Sequence, residues 1–151
     1  MILNKVVFGS KFGFTLLEVL LAIAILALIT GIGLPIFRSW QVSNDLDVAA
    51  TITVQSLRRA QFLSQAVDGD QSWGVKVEPG QVIIFQGNSF ATRNASKDES
   101  FNISGHITAS GLTEVVFSKF YGLPQSSGTI IFSSNNQTRT VTINSKGAVF
   151  Y

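Results

Sequence analysis

One carboxylate stands alone in the most apolar stretch of the chain. In "KFGFTLLEVLLAIAIL" (Lys11–Leu26), Glu18 is the sole charged residue between Phe14 and Phe37. A carboxylate inside a bilayer costs on the order of 2.5 kcal/mol near the centre and less near an end, so by default it marks a function and needs a partner. No basic residue lies near Glu18 in sequence once the leading Lys5 and Lys11 are removed. A newly created amino terminus is the group that could neutralise it.

Other chemistry has little to work with. There is no cysteine, which excludes disulfides, thiol catalysis and Cys-rich zinc sites. The single His106 has no acid or nucleophile arranged around it in sequence and reads as a surface or satisfied strand residue. Asp68-Gly69-Asp70 lacks the remaining ligands of a calcium loop. Three sequons, beginning at Asn94, Asn102 and Asn136, are what a chain rich in Ser and Asn produces by chance. Arg58-Arg59 reads as a solvated helix face. No catalytic set, metal site or cofactor is implied, and an enzyme tethered by a signal anchor is the weakest of the functional classes.

The elements that hold Glu18 follow from where the apolar residues fall. Hydrophobic residues make up 46% of the chain, but the excess lies before Phe37. Phe14–Phe37 as a helix spans about 36 Å at about 1.5 Å per residue, enough for a hydrocarbon core of about 30 Å. The short basic leader should then stay cytoplasmic and the larger C-terminal part be exported. A cleaved secretory signal fits less well, because a cut after Ala22-Ile23-Ala24 would leave further apolar residues as the mature end. The net charge of +2 comes from Lys5 and Lys11, and beyond them nine basic residues balance nine acidic ones. That balance gives no surplus for a polyanion.

Gly31, Gly33 and Pro35 interrupt this run. They read either as residues a membrane helix tolerates or as a kink where the helix adapts on packing. From Arg38 to about Val67 the pattern becomes amphipathic. Leu46, Ala49, Ala50, Thr53, Leu57, Ala60, Leu63 and Val67 form one apolar face, and Asp68-Gly69-Asp70 is a stop. After Asp70 the period changes to two. Trp73–Val77 and Val82–Gln86 flank Glu78-Pro79-Gly80-Gln81 as a hairpin. Further strands are expected at Ser100–Ser104, Glu114–Phe120, Thr129–Ser133, Thr138–Asn144 and Ala148–Tyr151, with Asn88–Glu99 as a loop or irregular edge. The fold class is α+β: a long N-terminal helix, membrane-spanning in its first half, packed on an antiparallel sheet.

"KFG" followed by "FTLLEVLLAIAIL" resembles the processing site of type IV prepilins and type II secretion pseudopilins. The resemblance implies a leader 1–13 ending in Gly13, cleavage by a prepilin peptidase, and N-methylation of Phe14 by the same peptidase/methyltransferase. It also implies an assembly role for Glu18, which would pair with the Phe14 amino group of a neighbouring subunit. Phe12 stands where a basic residue often precedes the Gly, with Lys11 one step earlier. The regions implied are 1–13 leader, 14–37 transmembrane and assembly helix, 38–70 amphipathic half and 71–151 β-rich head. A proline like Pro35 is common in such helices.

A looser resemblance, over Asp45–Tyr151, is to GspH/FimT-type minor pseudopilins, through the order of features and the closing Gly147-Ala148-Val149. Together these imply a minor pilin or pseudopilin held in the bacterial inner membrane by one pass, its head outside the cytoplasm, then drawn into a pilus or pseudopilus. Implied partners are other pilin or pseudopilin subunits, the peptidase and an inner-membrane assembly platform. The alternative is a filament-tip module binding DNA, a surface or secreted cargo. Some relatives bind DNA through arginines near the last hairpin, where this chain has Ala148 and Phe150; Arg139 and Lys146 are the basic residues left there.

Overall fold

The computed structural model describes residues 13–151, the side chains of 32–36 excepted. The expected leader, apart from Gly13, therefore lies outside the described residues. Contacts divide the chain into two compact units, one ending at Arg38 and the other running Ser39–Tyr151.

A single helix, α1, covers Leu16–Gln65 and is helical through Gly31, Gly33 and Pro35. Among the described residues no helix is long and apolar enough to cross a membrane, so the spanning character expected of Phe14–Phe37 is not shown. Helix α1 ends slightly earlier than the sequence suggests. Val67 takes a left-handed conformation (φ 57) and begins a tight turn over Asp68–Asp70 in which Gly69 is also left-handed (φ 64). A β-branched residue there is unusual. Its N–H bonds Ser64 O at 3.2 Å, closing the last turn.

Eight strands follow: β1 Trp73–Glu78, β2 Gln81–Gln86, β3 Glu99–Asn102, β4 Thr108–Gly111, β5 Glu114–Phe117, β6 Gly128–Ser134, β7 Gln137–Ile143 and β8 Val149–Phe150. They do not form the one sheet expected. They form two four-stranded antiparallel sheets, ordered β3-β2-β1-β5 and β4-β6-β7-β8. The break has a local cause. The chain after β5 folds back on it, with Gln125 N–H bonded to Val116 O at 2.8 Å and Pro124 bridged to Phe117, so β6 finds that edge taken. Strand β5 stops at Phe117 rather than Phe120, because Phe120 is left-handed (φ 71) and turns the chain. Strand β4, "TASG", has no apolar alternation, and the sequence reading does not include it. Asn88–Glu99 is the irregular segment expected, with short 3-10 turns at Phe90–Thr92 and Ala95–Lys97.

Within Ser39–Tyr151 one core joins the helix to both sheets. Leu46, Ala49, Ala50, Thr53, Leu57 and Ala60 are fully buried, as the stripe predicts. Leu63 and Val67, at its far end, are only half-buried. The alanines let the sheets approach the helix closely, and Phe117, Phe132, Ile84 and Ile130 fill the opposing side. Each such side chain contributes about 1.5–3 kcal/mol through burial.

Candidate processing and assembly site

The residues that could be cut, modified and paired lie together at the start of α1. Gly13–Thr15 are outside the helix and exposed. Thr15 is the N-cap: its Oγ1 accepts from Glu18 N–H at 3.3 Å, and its carbonyl accepts the first helical bond from Val19 N–H at 3.2 Å. Thr15-x-x-Glu18 is thus the spacing of a capping box. The sequence marks Glu18 as an acid in an apolar run and, by resemblance, as a pairing group; the capping signal in "TLLE" is present but not part of that reading. In a full box the Glu carboxylate would return to the cap's own N–H. No such bond is present among the described residues. Glu18 is therefore positioned by its backbone while its exposed carboxylate remains available.

The Gly13–Phe14 bond is accessible in the same way. A Cβ built on Gly13 meets nothing within 4 Å, so the fold itself does not require glycine there. Phe14 is 81% exposed, and Leu16, Leu17, Leu20, Leu21, Ile23 and Leu26 also lack cover. Thr30 returns its hydroxyl to Leu26 O at 2.9 Å, which satisfies the one hydroxyl in the later part of this run. These leucines and Ile23 make a run of exposed apolar side chains along one stretch of α1.

Elsewhere the structure pairs two of the suspected basic residues, Arg59 and Arg139, with acids. Arg139, on β7, donates to Asp47 on α1 at 2.6 Å and to Ser43 at 3.1 Å. The Tyr151 hydroxyl donates to the same Asp47 oxygen. The hydrogen bond from Arg139, and then that from Tyr151, holds the Asp47 carboxyl below the usual carboxylate range. Bonding to Asp47, then partial burial, pushes the Tyr151 phenol up. Arg139, offered above as part of a basic area, is thus neutralised by an acid 92 positions away. Arg59 is likewise bound by both oxygens of Glu99, at 2.8 and 2.7 Å, rather than simply solvated. Neither pairing is a sequence-local signal.

Residues 9–34 match the prokaryotic N-terminal methylation motif. The match supports a type IV prepilin-like family. It contains Gly13, Phe14, Glu18, Gly31 and Gly33, while Pro35 lies just beyond it. Proteins with this motif are membrane-anchored precursors that a prepilin peptidase processes and that assemble with other pilin subunits; they are structural subunits and not enzymes. No match is found among curated proteins or among solved structures.

Proposed function

We propose that this prepilin-like chain is a minor pilin or pseudopilin of a type IV pilus or type II secretion pseudopilus. The observation that carries the reading is the exposed Gly13–Phe14 bond, set two residues before a capped helix whose Glu18 carboxylate is exposed and makes no hydrogen bond among the described residues. Cleavage after Gly13 creates an ammonium on Phe14, which is then N-methylated. Phe14–Phe37 holds the subunit in the inner membrane as a single pass with Ser39–Tyr151 outside the cytoplasm. On assembly, Glu18 of one subunit takes up the Phe14 ammonium of the next. An ion pair in a low-dielectric packing is strongly disfavoured when one partner is absent, which fixes the register between subunits. Gly31, Gly33 and Pro35 supply the weak point at which the helix adapts within the fibre.

Gly13→Val tests the cleavage step. A Cβ there meets nothing within 4 Å among the described residues, so the head should fold as in the parent and the effect should arise at the peptidase. In a host with a prepilin peptidase, the parent chain is expected to shorten while Gly13→Val stays at precursor length. Equal lengths would overturn the reading.

A further inference from the structure

Strand β3 is the edge of the first sheet that nothing closes among the described residues. In its register with β2, Phe101 pairs with Val82 and Glu99 with Ile84, and Ile103 N–H bonds Gly80 O at 2.9 Å one step further on. Bonded and non-bonded pairs alternate in an antiparallel ladder. Glu99, Phe101 and Ile103 therefore turn their backbone groups toward β2, while Ser100 and Asn102 turn theirs away. These outward N–H and C=O groups have no partner among the described residues, and both residues are exposed. The opposite edge differs, since Gln125 and Pro124 cover β5. Edge strands are blunted by shortness, charge, Pro or a bulge; β3, "ESFN", is short and carries Glu99, but has no Lys, no Pro and an unbroken register with β2. A groove of about 440 Å³ runs beside it, lined by Ile52, Ile84 and Phe101. The Arg59–Glu99 pair fastens the strand to α1 across that groove.

We infer that β3 is a self-pairing edge, and that a second copy of this chain adds its own β3 antiparallel to it. The edge is its own complement. With Phe101 on the two-fold axis, Ser100 of each copy lies opposite Asn102 of the other, and four ladder bonds satisfy all the outward groups. Phe101 then faces its counterpart as a non-bonded pair, with Cα atoms about 4.5 Å apart. The two rings, each on a residue 38% exposed in the single chain, cover one another at the groove mouths. Glu99 falls opposite Ile103, so no like charges meet. The contact is isologous and closes at two copies. It does not depend on processing at Gly13.

The chain has no cysteine, so a single introduced thiol reads the contact without background. Full-length Phe101→Cys, oxidised with copper phenanthroline in membranes, is expected to give a disulfide-linked dimer, since about 4.5 Å between Cα atoms lies within disulfide range. Gly105→Cys, exposed and off the strand, measures random collision. Adding Asn102→Pro removes an outward N–H and no bond to β2, and should lower the dimer yield at least about tenfold, as a lost ladder bond and a steric block together require. Ser100→Pro does the same from the other outward position. With Phe101 intact, the full chain in detergent should have the mass of two copies and either proline variant the mass of one. Cross-linking no greater than at Gly105→Cys, a dimer that survives both prolines, or a monomeric parent would each overturn the inference.

Discussion

Replacing Ser64 by Ala should loosen the joint between α1 and the first sheet. Ser64 is fully buried. Its hydroxyl accepts from Trp73 N–H at 2.8 Å and reaches Phe117 O at 3.0 Å, the two residues that face each other across β1 and β5. Its own carbonyl accepts from Val67 and Phe120, both left-handed, so this one residue ties down the helix end and both strained turns. Alanine removes the hydroxyl and leaves a buried donor and a buried acceptor. Each orphaned group costs about 1–3 kcal/mol. Direct closure of Trp73 N–H onto Phe117 O would recover part of that, so the net loss should be about 2 kcal/mol. At about 4 °C per kcal/mol, where the ranges for smaller and larger domains meet, Tm falls by about 8 °C. The assay is thermal denaturation of a Ser39–Tyr151 fragment, which holds the whole described core, followed by circular dichroism and by the fluorescence of buried Trp73 with exposed Trp40 replaced by Phe. Exposed Ser110→Ala is the control. A Ser64→Ala shift within about 0.5 kcal/mol of the parent, the range of ordinary surface changes, would refute the reasoning.

Glu18→Ala should leave cleavage largely intact and impair incorporation into fibres, scored in sheared or envelope fibre fractions; normal incorporation would count against the pairing. Gly74→Ala should destabilise the head by about 1–3 kcal/mol, because a Cβ there would lie 2.5 Å from the Phe85 ring and 2.8 Å from Val115 O; denaturant unfolding reads the change. The Asp47–Tyr151 contact predicts a pH window. Asp47 is shifted down on folding, so its contribution is complete above about 3.9 and is lost as pH falls below that. Tyr151 is shifted up, so its contribution is complete below about 10 and is lost as pH rises beyond it. The stability gap between parent and Asp47→Asn should therefore close in acid, and that for Tyr151→Phe in alkali. A gap constant across pH in either titration would contradict the assignment.

What the sequence made legible was what repeats locally. The stripe from Leu46 to Ala60 could be read because burial on one helix face imposes a period near 3.6. The first hairpin could be read because Pro79-Gly80 separates two alternating runs, and Gly80 takes the positive φ (83) its place requires. The processing motif was legible because its residues are contiguous. The division into two sheets was not, since it depends on the return of Pro124 and Gln125 onto β5, which no periodicity reports. Strand β4 carries Ser110 and Gly111, and Gly111 is there because a Cβ would meet Thr129 O at 2.3 Å. The Asp47–Arg139–Tyr151 contact joins residues 92 and 104 positions apart, and only the fold brings them together.

Mass spectrometry of the intact protein from its native cells tests the central claim most directly. A chain beginning at Phe14 and carrying one added methyl group is the predicted result. A chain that keeps the residues before Phe14, or begins there without the methyl group, would contradict it.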